Sequence, residues 1–158
     1  MYNRILVPLD GSKLAECVFP HVESISRDCK VKDVILFRVC EPPSVGADYP
    51  ASMPTSWEEH VNEVNNYSQE QCGLYLKDAE KQLKDLGLSN IKLEARLGDP
   101  ATEIADYASK NEIDLIIMAS HGRSGPSRWA YGSVADKVFR ITCVPILMIR
   151  GPGCVIGL

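Results

Sequence analysis

No apolar run in this 158-residue chain approaches the roughly 20 residues that a membrane-spanning helix requires. The first residues, Met1-Tyr-Asn-Arg-Ile-Leu-Val-Pro8, read directly as a strand, so no secretory leader is expected. Nor is there an excess of positive charge. The formal net charge of −4 argues against broad nucleic-acid binding, though a local basic cluster can still handle phosphates. A cytoplasmic protein with neither a membrane nor a nucleic-acid partner is expected.

Metal and catalytic patterns are scarce too. The six cysteines, Cys17, Cys29, Cys40, Cys72, Cys143 and Cys154, are scattered and form no C-x-x-C pair. His21, His60 and His121 show no ligand spacing, so a metal held by protein side chains alone is not expected. Without a secretory signal, Cys17, Cys40, Cys72 and Cys143 read as small buried apolar residues rather than as ligands or structural disulfides. Cys154, in the C-terminal tail, is the cysteine expected to be exposed and reactive. The chain has no Gly-Lys-Ser/Thr of the Walker type, no evident pair of carboxylates for two metals, and no nucleophile beside a base. No catalytic residue is assigned.

What is present suits one ordinary globular domain. Apolar residues make up 45% and charged residues 24%, near the averages for soluble proteins, and the length suffices for a proper core. Arg4 to Leu9, Asp33 to Cys40 and Asp114 to Ala119 are short apolar runs fit for strands buried on both faces. Asn90 to Leu97 alternates and reads as a third strand, at a sheet edge. Cys143 to Arg150 is the fifth, with Pro145 near its start.

Helical patterns lie between these strands. Ser12 can cap the first, whose apolar positions include Leu14, Cys17, Val18, Val22 and Ile25, with Pro20 expected to kink or loosen it. Val61 to Leu86 repeats at helical spacing and stops at Gly87. Asp99-Pro100 opens the next helix as cap and first residue. Val134, Ala135, Val138 and Phe139 face one way on the last. The alternation predicts a single doubly wound α/β domain over 1–151, followed by a short tail over 152–158. Its five-stranded parallel sheet is expected in the order 3-2-1-4-5, with helices on both faces. Residues 41–58 hold four prolines and read as a long loop, either a lid or an idle insertion.

The chain is organised around Ala119-Ser-His-Gly122-Arg-Ser-Gly125-Pro-Ser-Arg128-Trp-Ala-Tyr-Gly132-Ser133. A buried strand leads in and a helix start leads out. Glycine admits a phosphate close to the main chain, and a helix start attracts anions. The loop therefore reads as a phosphate holder. If strands 1 and 4 are neighbours, Asp10-Gly11 faces it across the ligand crevice of such sheets.

Ala119-x-x-Gly122, nine residues, then Gly132-Ser133, together with the opening Ile5-Leu-Val-Pro-Leu-Asp10, resembles the universal stress protein family. Nucleotide-binding members of that family carry Gly-x-x-Gly, nine residues, then Gly-Ser or Gly-Thr. The resemblance implies ATP as ligand, with Mg²⁺ or Mn²⁺ carried by its phosphates. It implies Gly122, Gly132, Ser133 and the N–H of Val134 at the phosphates, Ala119 and His121 beside the ribose and α-phosphate, and Pro8, Leu9, Asp10 and Val39 around the nucleoside. Arg123 and Arg128 are placed to add charge near the outer phosphates, and solvated surface positions suit them equally. The family likeness also implies a homodimer through the last strand, Pro145 to Arg150, whose open edge invites pairing.

Ala119 departs from the pattern, standing where the first glycine belongs. Its methyl group either narrows the ribose site or costs nothing. Ser133-Val-Ala-Asp136 also fits a helix capping box, and Asp10 also fits a simple turn. A nucleotide sensor or signalling module is the expected function. A slow ATPase or phosphotransferase, and a nucleotide-free protein-interaction member, are the alternatives.

Overall fold

The computed structural model describes residues 2–40, 56–120 and 132–151. Strands β1 (Arg4–Pro8), β2 (Asp33–Cys40), β3 (Ile91–Leu97), β4 (Leu115–Ala119) and β5 (Ile146–Ile149) form one sheet. Its order is β3-β2-β1-β4-β5 and every pairing is parallel, as the alternating sequence requires. Helices α1 (Phe19–Cys29), α2 (Trp57–Asp85), α3 (Pro100–Lys110) and α4 (Ser133–Ile141) connect the strands.

Side-chain alternation divides the core into two layers. On one face Ile5, Val7, Val34, Leu36 and Ile117 pack with Val18 and Val22 near α1 and with Leu76, Ala79 and Leu83 of α2. On the other, Leu6, Ile35, Phe37, Ile116 and Met118 pack with Ala101, Ile104 and Ala108 of α3 and with Ala135 and Val138 of α4. Among the described residues no helix is long and apolar enough to cross a membrane.

The helix boundaries follow local chemistry. Asp99 accepts the N–H of Thr102 at 3.0 Å and Pro100 follows it as the first helical residue. Gly87, at φ +99°, lets the chain leave α2, and Leu88 donates back to the Leu83 carbonyl at 3.1 Å. Four expectations need correction. Pro20 does not kink a helix: a 3-10 turn over Ala15–Val18 precedes α1, placing Pro20 in its first turn, where no N–H bond is lost. The stretch read as loop through residue 58 gives way earlier, because Ser56 and Glu59 form a reciprocal capping box that starts α2 at Trp57. Phe139 is 65% exposed, since α4 packs at the β5 edge of the sheet and, among the described residues, no further strand lies beyond it. Cys143 is exposed in the connection to β5 rather than buried.

Candidate functional site

At the carboxyl end of β1, Leu9 extends the strand pairing by donating its N–H to the Phe37 carbonyl at 2.8 Å. The chain then turns on a carboxylate. One oxygen of Asp10, Oδ1, accepts both the N–H of Ser12 at 2.9 Å and its hydroxyl at 2.7 Å. Ser12 Oγ accepts the N–H of Ala15 at 3.2 Å, so the acid fixes the turn and the serine fixes the 3-10 segment after it. The turn-forming reading of Asp10 therefore holds.

Gly11 is required within that turn. Its φ is +87°, and a Cβ there would lie 2.6 Å from Nη2 and 2.9 Å from Cζ of Arg38. The guanidinium thus rests against bare main chain and also stacks over the Tyr75 ring, 4.6 Å from its centroid. Arg38 belongs to β2 and Tyr75 to α2, so strand, turn and helix meet around one cation. Burial, helped by the negative charges of Glu16 and Asp10, raises the Tyr75 hydroxyl's pKa well above the usual tyrosine value. The phenol stays protonated at neutral pH.

The second half of the site lies at the end of β4, beside β1. Ser120 is buried and donates its N–H to the Ile149 carbonyl at 2.8 Å. Gly132 donates its N–H to the Ser120 carbonyl at 2.7 Å, which brings the start of α4 back to the end of β4. The first rung of the helix ladder runs from Asp136 N–H to the Gly132 carbonyl at 3.0 Å. The N–H groups of Ser133, Val134 and Ala135 precede that rung, so they form the positive end of the helix. An anion is the natural occupant of such a position.

Pro8, Leu9 and Asp10 thus stand on one strand end, and Ala119, Gly132, Ser133 and Val134 stand around the end of its neighbour. Val39 lies next to last in β2, on the face that packs toward α3 and α4. Leu9 buries its side chain in the opposite core layer, which leaves its main chain for the site. His121, Gly122, Arg123 and Arg128 lie outside the described residues. Ser133 is not a capping residue: Gly132 takes the N-cap position and Ser133 is the first, exposed residue of the helix. Its hydroxyl therefore does not serve as that cap.

Sequence reasoning missed the Arg38–Tyr75 stack and the covalent link behind it. Cys40, the last residue of β2, is disulfide-bonded to Cys72 of α2 across a separation of 32 residues, with Cα atoms 6.3 Å apart. The sequence alone reads both as small buried apolar residues rather than as a disulfide. The signal for Arg38 was present, as a charged residue in the middle of the apolar run from Val34 to Cys40. Nothing in the spacing signalled the disulfide.

Comparison with known proteins places this geometry. The model of the universal stress protein family matches residues 1–150. Universal stress protein MJ0577 of Methanocaldococcus jannaschii is 30% identical over 157 residues, covering 95% of this chain and 96% of its own. Its solved structure superposes with a TM-score of 0.80 at 31% identity, over 95% of this chain and 96% of that one. A universal stress protein in complex with cAMP shares the fold at a TM-score of 0.68 and 17% identity, covering 95% and 98% of the two chains. An Arabidopsis thaliana family member with AMP bound does so at 0.64 and 14%, covering 96% and 93%. With its sheet order, its two facing strand ends and its matching length, the chain belongs to the universal stress protein family.

Proposed function

We propose that the protein binds ATP in the crevice between the Asp10 turn and the start of α4, and signals through nucleotide-dependent conformation or assembly in the cytoplasm. The observation that carries this reading is the placement of α4's first N–H groups, beside β4, next to the strand that ends in the Asp10 turn. A helix start favours phosphate, while a carboxylate favours the hydroxyls of a sugar or the amine of a base. One crevice thereby offers complementary chemistry to both ends of a nucleotide. Family structures that hold cAMP and AMP support an adenine nucleotide as the class.

In this reading Ser133 and the N–H groups through Val134 take phosphate oxygens, with Gly122 and Arg123 contributing from the stretch between β4 and α4. Asp10 takes a sugar or base donor, main-chain groups of Val39 read the adenine edge, and Pro8, Leu9, Ala119 and His121 line the nucleoside and α-phosphate. Mg²⁺ or Mn²⁺ arrives with the phosphates, as is usual for small hard cations on nucleotides. The 1–151 unit acts as one domain.

The protein pairs with a second copy through β5. That strand is paired on one side only among the described residues, and its four residues are half-buried. Phe139 and Ile141, exposed at the end of α4, extend the apolar edge. Sedimentation at micromolar concentration should give the dimer mass, and a monomer there overturns the pairing.

Calorimetric titration with ATP and Mg²⁺ tests the nucleotide reading, alongside Gly132→Val. Gly132 has φ −52° and ψ 146°, a conformation valine adopts, so the variant folds while crowding the helix start with a branched side chain. Saturable one-to-one binding, lost in the variant, is expected. Equal binding by both proteins removes the helix start from the site. A second reading, a nucleotide-free interaction protein, draws on Ala119 in the glycine position and predicts no heat from the folded wild type.

A further inference from the structure

The bond between Cys40 and Cys72 ties α2 to the end of β2. From Glu58 to Gln71 no residue of α2 is buried, and Cys72 is the first that is. Three residues on, in the same helical turn, Tyr75 stacks on Arg38. Arg38 in turn precedes Cys40 by two positions in β2, on the same side of the strand. One turn of α2 therefore holds two successive same-face residues of β2, one by a covalent bond and one by stacking. The guanidinium so held rests on Gly11, next to Asp10. Two contacts separate the disulfide from the carboxylate.

We propose that Cys40–Cys72 is a reversible redox site, and that its state sets the order of the Asp10 turn and hence the affinity of the crevice. The effect on affinity rests on the nucleotide reading above; the effect on the turn does not. When the bond forms, each thiol loses a proton, and the pair gives up two electrons to a small disulfide such as oxidised glutathione, which leaves as two thiols. A dithiol reductant returns both protons and both electrons. Cys40 and Cys72 are 3% and 4% exposed, so exchange requires the turn around Cys72 to open. The lack of buried side chains among the described residues from Glu58 to Gln71 makes that opening local. Once reduced, the first anchored turn of α2 relies on packing alone, and the Arg38 platform loosens with it.

Wild-type protein is equilibrated with oxidised glutathione or with a dithiol reductant, and Cys40→Ser/Cys72→Ser serves as the permanently open form. A non-reducing digest should link the Cys40 and Cys72 peptides in the oxidised sample alone. Hydrogen exchange should quicken on reduction at residues 9–16 and 72–76 while β1 and β4 keep their protection. ATP affinity should fall on the order of threefold to thirtyfold, the usual range for coupling carried through packed side chains. The double variant should match the reduced protein in both readouts. If no linked peptide forms, or if it forms and exchange at residues 9–16 does not change, the proposal is wrong. If ATP binds neither form while exchange still responds, the redox site stands and the nucleotide reading fails. Equal ATP affinity in both forms, with exchange altered, refutes the coupling to the crevice.

Discussion

Replacing Gly11 with alanine tests how the turn is built. At φ +87° a Cβ meets the backbone penalty of the left-handed region, about 1–2 kcal/mol. It would also stand 2.6 Å from Nη2 and 2.9 Å from Cζ of Arg38, well inside van der Waals contact. The guanidinium is the far end of a flexible side chain, so it moves rather than the strand. What is lost is its stacking on Tyr75, worth about 0.5–2 kcal/mol. Together the two terms predict a destabilisation of roughly 1.5–4 kcal/mol for Gly11→Ala. For a domain of this size that is a fall in Tm on the order of 3–16 °C. In an Arg38→Ala background the clash is absent and the stacking already gone, so Gly11→Ala should cost only the backbone term. Urea unfolding of the four proteins in this cycle measures the difference. If Gly11→Ala costs the same with and without Arg38, the guanidinium does not rest on Gly11 and the account of the turn is wrong.

Closing a loop of 32 residues removes about 3–4 kcal/mol of chain entropy from the unfolded state, so reduction should lower Tm by several degrees, and Cys40→Ser/Cys72→Ser should abolish the dependence on reductant. Asp114 accepts the N–H groups of Arg4 and Asn3, which hold its carboxyl below the usual aspartate range. Hydrogen bonds and charge from Lys92, then Arg4, depress Asp33 likewise. A carboxylate depressed on folding gives stability that is full above its unfolded value and lost as pH falls through the folded one. Stability measured by urea should therefore decline below about pH 4, and less steeply in Asp114→Asn; an identical decline in that variant refutes the assignment. Phe37→Ala, which empties a fully buried position against Tyr107, should cost about 3–5 kcal/mol by denaturant titration.

Much of the fold could be read because its rules are local or periodic. Buried strands announced themselves as apolar runs, Gly87 and Asp99-Pro100 as helix ends, and the alternation of elements as a parallel sheet. Asn90 to Leu97 alternated because it lies at the edge of the sheet, with one strand neighbour among the described residues. The misreadings share another cause. Ser133 stands one residue past the cap position read for it, and Pro20 falls in a first turn because α1 begins at Phe19 rather than just after Ser12. Phe139 kept its helical period, but what lies beneath it depends on where the sheet ends. Cys40 and Cys72 are far apart in sequence and meet only because α2 lies across β2, which no spacing rule encodes. Arg38 was passed over for a similar reason, since its partners come from a turn and a helix elsewhere in the chain.

The most direct test of the central claim is an amide shift titration of isotope-labelled protein with ATP and Mg²⁺. The account predicts saturable changes clustered at Leu9 to Gly11, Val39, Ala119 and Gly132 to Val134, with residues 3–4 and 112–114 at the opposite end of the sheet unmoved. Saturable changes confined to that opposite end, or no changes in a folded protein at millimolar ATP, would contradict it.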